Sequence, residues 1–303
     1  MRRYYTLTFL VALLTLTEQL SAQTINDGLM MPGKNFCTGF ITTTDSWSHY
    51  WEGTRNRING NIGTVTTNST AYMGNYGVNN NFNVIAMLPY VSTKASGGTL
   101  KPMQGLQDLS VALKYQFKEF QLDSATKLKL FAVGFGSSPV SNYTPDFLPL
   151  SIGMGAKQIG GRFTLFAEHH NWYLVSSAGY TFRGNVTLDR LSYYTNGALY
   201  LTNQVAMPQV FDVVTGIGRM KNGLETKLNW YVYRTLGGGD IRRQDMPFVS
   251  NRMNLSRVEL LAMYYLPKSR RLALRAAVST VVTGRNVGQS TTILGGLLYT
   301  FKF

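Results

Sequence analysis

The residue types able to do chemistry are sparse in this 303-residue sequence, and their spacing argues against a reaction centre. There are three histidines, His49, His169 and His170, and one cysteine, Cys37. His169 and His170 follow Glu168 directly. Neighbouring side chains on a strand point to opposite faces, so the two imidazoles could share a metal only if a turn intervened; a polar turn is the plainer reading. His49 lies in DSWSHYWEG beside Trp47, Tyr50 and Trp51, a cluster of the kind found in an interfacial aromatic girdle. A nucleophilic serine needs a histidine to activate it, and EHHNW supplies no such arrangement. The glycine phrases GMGAKQ (153–158) and GIGRMK (216–221) open no helix, so they are not phosphate cradles. A single cysteine excludes an intramolecular disulfide and a cysteine-based metal cluster. The sequence therefore predicts no enzyme, no metal site and no cofactor. The chemistry on offer is that of charge lining a passage.

Composition says what could position such charges. Charged residues make up 15% of the chain, against about a quarter in a soluble domain, while apolar residues reach 44% and aromatics 13%. Thirty glycines and many Asn, Thr and Ser hold mean hydropathy at −0.07. That balance excludes a helical membrane protein, a disordered chain and an ordinary cytosolic enzyme. The net charge of +14 is not a nucleic-acid footprint, because the basic runs are only pairs such as Arg242-Arg243 and Arg270-Arg271. Residues 1–22 read as a cleaved export signal: Arg2 and Arg3, an apolar run from Leu7 to Leu16, then LTEQLSAQ. The apolar run is too short to span a bilayer as a helix, which takes about 20 residues.

Alternation then selects the fold. In LSVALKYQFK, Leu109, Val111, Leu113, Tyr115 and Phe117 share one face, and Asp108, Ser110, Ala112, Lys114, Gln116 and Lys118 share the other. RLALRAAVSTVV sets Leu272, Leu274, Ala276, Val278 and Val282 against Arg275, Ala277 and Ser279, and LETKLNWYVY sets Leu224, Leu228, Trp230 and Val232 against Glu225, Lys227, Asn229, Tyr231 and Tyr233. Such segments recur near 35–46, 70–78, 82–94, 107–118, 126–136, 159–169, 171–184, 209–220, 223–236, 253–266, 271–284 and 290–303. Short turns between them alternate with long segments at 47–69, 95–106, 137–158, 185–208 and 237–252, as short periplasmic turns alternate with longer external loops in outer-membrane barrels. The fold class is all-β: a transmembrane antiparallel β-barrel of roughly twelve strands over residues 35–303, in the bacterial outer membrane. Residues 23–34 form a short periplasmic segment before it. Segment 147–158 either extends the sixth strand or folds inward as part of a loop.

The polar faces define the expected lumen. Lys114, Lys118, Lys127, Lys129, Arg162, Arg183, Lys227, Arg257, Arg275 and Lys302 lie there, with Asp108, Glu168, Asp212, Glu225 and Glu259. Such a set either pairs into a filled lumen or creates a field favouring anions. Arg275 has Glu259 or Glu225 as candidate partners. In loop 237–247, Asp240, Arg242, Arg243 and Asp245 read as self-paired or solvated. Pro89, within FNVIAMLPYVS, removes one ladder donor and should mark a bulge or local gap near the outer end of the third strand.

The last residues, with Tyr299, Phe301 and Phe303 on one face, resemble the terminal strand of outer-membrane barrels, which implies an assembly signal read by the barrel assembly machinery. The phrases NYGVNNNFNVIAMLPYVS (75–92), GLQDLSVALKYQF (105–117) and SAGYTFRGNVTLD (177–189) resemble the outer-membrane barrel family named for the meta-pathway of phenol degradation, which is related to the channels for fatty acids and aromatic hydrocarbons. The resemblance covers about two-thirds of the chain beyond the export signal. It departs where Gln107 stands in place of a glycine, and where Gln23 to Lys34 is too short for the N-terminal hatch of the fatty-acid channels. It implies passive uptake of small hydrophobic or amphipathic molecules, with outer-membrane lipid and such a ligand as partners and no nucleic acid. By analogy with those channels it makes Pro89 a candidate for a lateral opening. The residues leave two other readings open: an anion-preferring small-solute channel, or a closed barrel acting as a structural or surface-interaction protein.

Overall fold

The computed structural model describes residues 24–242, 245–267 and 271–303; the export signal at 1–22, Arg243 and Arg270 lie outside them. Twelve long strands carry the fold: β1 (Asn35–Trp47), β2 (Val65–Asn79), β3 (Phe82–Ala95), β4 (Asp108–Gln121), β5 (Thr126–Pro139), β6 (Gln158–His169), β7 (Trp172–Arg183), β8 (Val210–Lys221), β9 (Leu224–Thr235), β10 (Asn254–Tyr265), β11 (Leu272–Arg285) and β12 (Thr291–Lys302). Each pairs antiparallel with its neighbours in sequence. β12 returns to β1 from Asn35↔Lys302 to Ser46↔Thr291, so the sheet closes on itself and leaves no edge. Every strand exceeds the 9–11 residues that a tilted strand needs to cross a bilayer. Among the described residues no helix is long and apolar enough to cross a membrane.

Burial is inverted relative to a water-soluble fold. On β4, Leu109, Val111, Leu113, Tyr115 and Phe117 are exposed, while Ala112 and Lys114 between them are buried. On β11, Leu274, Val278 and Val282 are exposed and Ala277, Ser279 and Val281 are buried. Asn75, Asn83, Thr164, Ser177 and Lys114 have no exposed surface at all. Polar groups stay out of hydrocarbon only by turning inward, and apolar groups gain by facing lipid, so the alternation seen in the sequence becomes a lipid face and a lumen face.

Two elements depart from the sequence reading. β2 starts at Val65 rather than near residue 70, because its upper part (VTTNST) is polar on both faces. There Thr70 and Asn68 hydrogen-bond outward-facing Thr42 and Thr44 of β1 at 3.2 and 2.9 Å, so no apolar alternation reveals the strand. On β4 the register shifts between Gln116 and Lys118, leaving Lys118 opposite Leu130. That bulge turns Lys118 out of the lumen, onto the outer face with Phe120, whose ring lies 5.4 Å from its ammonium. On the lumen side Glu119 takes its place, opposite Lys129.

The outer loops have a core of their own. Residues 140–157, 184–209 and 236–253 meet around Ala156, Val186, Leu188, Tyr193, Val205, Met207, Phe248 and Val249. Segment 147–158 belongs to this cap up to Lys157: Leu150, Ile152 and Ala156 are buried, and the Thr93 hydroxyl donates to the Leu150 carbonyl at 2.5 Å. Only Gln158 enters β6. The aromatic cluster around His49 is no lipid girdle. It forms a hairpin (His49–Glu52 with Arg55–Ile58) that folds onto the β11–β12 turn. Trp51 is buried over Gly284 and Trp47 covers Gly288; a Cβ at either glycine would run into the indole.

Candidate functional site

The N-terminal segment Thr24–Met31 lies inside the barrel. The sequence reading placed residues 23–34 beneath the wall; the structure turns most of them upward, because the lumen offers both a cation and apolar pockets that they fit. The cation is Lys114 of β4, fully buried, whose ammonium donates to the Thr24 carbonyl at 3.0 Å, the Asp27 carbonyl at 2.8 Å and Asp27 Oδ1 at 2.7 Å. Three donors meet three acceptors, so the charge is fully satisfied away from bulk water. Around this anchor Ile25 packs with Ile85, Ala112 and Val133. Leu29 and Met30 pack with Phe131, Phe166, Tyr173 and Val175. Met31 joins Cys37, Met73, Leu261, Met263 and Leu298. These contacts reach β1–β7 and β10–β12, so the segment acts as a stopper across most of the cross-section. Gly28 is required for the fit, since a Cβ there would overlap the Phe166 ring.

Facing β9–β11, the stopper leaves a cavity of about 30 Å³ lined by Asn26, Asp27, Glu225, Lys227, Asn229, Glu259 and Arg275 among others. Space of that size holds a water or two. Glu225 accepts from the Tyr173 hydroxyl, and Glu259 accepts from Asn229 Nδ2 and from the Tyr231 hydroxyl, both at 2.9 Å. Arg275 faces the lumen, yet neither Glu225 nor Glu259 pairs with it within 4.0 Å among the described residues.

Higher up, Arg257 lies over the Tyr231 ring at 4.5 Å, Arg183 donates to the Tyr233 hydroxyl, and Arg162 pairs with Asp212. Asp108 accepts from the Tyr143 hydroxyl at 2.6 Å. Lys129 pairs with Glu168 at 3.7 Å. Thus Asp108, Lys114, Arg183, Glu225, Lys227, Arg257, Glu259 and Arg275 all lie on inward faces, but among the described residues only Lys114 holds the stopper by a direct ion pair. Sequence reasoning missed Asp27, Gly28 and Tyr173. The available signal was the phrase INDGLMMPG, whose three consecutive apolar residues Leu29 to Met31 have no strand to belong to.

At Pro89 the wall changes partner. On the β2 side pairing runs through without a break, Ala71↔Pro89 included. On the other side β3 pairs with β4 only as far as Met87↔Ser110, and resumes from Tyr90↔Leu106 with a short strand, Met103–Leu106. One hydrogen bond, from the Gln107 amide to the Pro89 carbonyl at 2.9 Å, bridges the step. Met87, inward in register, is 41% exposed, so the lumen is open at this level. Tyr299 and Phe301 are on the lipid face, and the Phe303 amide donates to the Lys34 carbonyl at 3.0 Å.

The histidine pair sits in the β6–β7 turn. His170 has φ 56°, which breaks the strand alternation and brings the two rings to 4.4 Å, and His169 Nδ1 meets the Thr126 hydroxyl at 2.8 Å. No cluster of three or more potential metal ligands occurs among the described residues. In the outer loops Arg242 pairs with Asp245, and Asp240 is held by Arg285 at 2.6 and 2.7 Å and by Asn286 at 2.8 Å. The Arg285 hydrogen bonds, with help from Asn286, lower the Asp240 carboxyl to about 2. A carboxylate held below its unfolded value stabilises the fold above about pH 4 and loses that contribution as pH falls toward 2. Protease nicking of loop 237–252 should therefore increase between pH 4 and pH 2 and lose this pH dependence in Asp240→Asn; an unchanged profile in that variant would show that the pair does not fasten the loop.

A closed sheet with an apolar outer face and a polar, stoppered lumen defines a transmembrane β-barrel of the outer-membrane type. An outer-membrane channel from Pseudomonas putida F1 shares the fold, with a TM-score of 0.73 over 92% of this chain and 100% of that chain at 12% identity. The translocator domain of the autotransporter NalP from Neisseria meningitidis overlaps less closely, with a TM-score of 0.49 over 92% of each chain at 12% identity. No protein-family model matches the sequence, and neither does any curated protein.

Proposed function

We propose that the protein is a passive channel of the bacterial outer membrane for small hydrophobic or amphipathic molecules, closed toward the periplasm by its own N-terminal segment. The observation that carries this reading is the wall just above the stopper, where Met87 faces the lumen 41% exposed beside the step at which β3 changes partner at Pro89. The pockets below it are filled by the stopper itself. With the inward arginines Arg183 and Arg257, this level suits a solute with an apolar body and a polar end.

Because the stopper closes the axial route, we infer that an apolar solute leaves sideways, through the seam beside Pro89, from the open lumen at Met87. Pro89→Ala should leave assembly intact and slow the passage of apolar solutes severalfold, measured as ligand uptake by cells expressing each form. Unaltered uptake would argue against the lateral route.

A second reading, an anion-preferring channel, is favoured by Arg183, Lys227, Arg257 and Arg275, which face the lumen without an ion-pair partner within 4.0 Å among the described residues. Reversal potentials across planar bilayers under a salt gradient separate the readings: a strong anion potential supports the second, and uptake of uncharged amphipathic solutes supports the first.

A further inference from the structure

At the outer rim, where β5 ends and β6 begins, the wall opens into a cleft of about 500 Å³ lined by Ser138, Asn142, Tyr143, Lys157, Asn185 and Thr187 among others. Ser137↔Gln158 is the last β5–β6 pair, and above it the two strands part around residues 140–157. Ser138 of β5 lies in the outward-facing register, opposite in direction to inward Ser137, and Lys157 immediately precedes Gln158 at the end of the cap segment. Lys157 is exposed and has no hydrogen-bond or ion-pair partner for its ammonium among the described residues, while its carbonyl ties the rim together by accepting from the Gly184 amide at 2.8 Å. Among the described residues, Lys157 is the one charged side chain lining the cleft. Directly below lie Ile159 and Phe182, 67% and 57% exposed, each two residues nearer the membrane than Lys157 and Gly184. At about 3.3 Å per residue along strands tilted by about 40°, the lysine sits roughly 5 Å above these two side chains. The headgroup layer on each side of a bilayer has about that thickness.

We propose that this cleft binds the headgroup of a phosphorylated glycolipid in the outer leaflet. Each part of such a lipid meets a matching part of the wall. Acyl chains lie on Ile159, Phe182 and Tyr180. A phosphate meets the unpaired ammonium of Lys157, in a layer where water is thinned and a charge-assisted hydrogen bond is strengthened. Sugar hydroxyls meet the hydroxyl and amide groups of Ser138, Asn142, Asn185 and Thr187. The assignment does not depend on what passes through the lumen.

The test uses the full barrel purified in a zwitterionic detergent, with three probes: bis-phosphorylated lipid A, the same lipid stripped of phosphate, and inorganic phosphate. Native mass spectrometry should show one lipid A retained at least tenfold more tightly than its phosphate-free form. Lys157→Glu should abolish that preference and Lys157→Arg should restore it. Heat-modifiable migration on gels verifies that each variant is folded. Equal retention of the two lipids, or an undiminished preference in Lys157→Glu, would overturn the proposal. Displacement by inorganic phosphate without any preference between the lipids would make the cleft a free-anion site and overturn the lipid assignment equally.

Discussion

Replacing Lys114 with methionine should turn a quiet barrel into a conducting one. In the native protein a single fully buried ammonium satisfies two carbonyls and one carboxylate of the segment that fills the lumen. Without it, Asp27 is left as a buried, uncompensated charge, a loss of about 3–5 kcal/mol when a buried pair is broken on one side. The segment has a way to relieve that cost which a core residue lacks: it can swing out and hydrate Asp27 in the periplasm. Single-channel conductance should therefore rise at least tenfold in Lys114→Met. Closure should return when Asp27→Leu is added, because the surroundings, Ile25, Ile85, Ala112 and Val133, accept an apolar pair. Conductance equal to that of the native protein in the single variant would mean that the apolar contacts alone hold the stopper.

Removing Phe303 should reduce the amount of folded barrel in the membrane by about an order of magnitude, read from heat-modifiable migration. Closure of a barrel is all or none, since pairing β12 with β1 removes the last two edges. Phe303 sits at that seam: its amide donates to the Lys34 carbonyl, and two residues earlier Phe301 packs on Phe36 of β1 with ring centroids 6.5 Å apart. Unchanged membrane levels of the truncated chain would dissociate the C-terminal residue from assembly.

The wall was legible in the sequence because lipid enforces alternation residue by residue. β4, β9 and β11 follow it closely, and the inward placement of Arg275 needed nothing beyond the parity of its neighbours. Legibility failed where lipid does not act. The upper half of β2 is polar on both faces. The bulge after Gln116 reverses the parity of Lys118, and no local residue announces it. The stopper is set by a contact between Asp27 and Lys114, 87 positions apart, which no periodicity encodes. Lys114 read as one more lumen cation; its special role follows only from what fills the space in front of it. The outer cap lay beyond reach for the same reason, since its core joins three loops through isolated residues such as Ala156, Val186 and Phe248.

The proposed function requires the lumen to be a path for amphipathic solutes rather than a filled pillar. Its most direct test is transport across vesicles with a glycolipid outer leaflet, a barrier that slows small apolar molecules, carrying either the native barrel or Lys114→Met. A small amphipathic aromatic solute should cross faster with the native protein than without it, and a polar solute of equal size should gain passage only in the variant. If neither solute crosses faster than in protein-free vesicles with either form, the barrel is no channel and the proposed function fails.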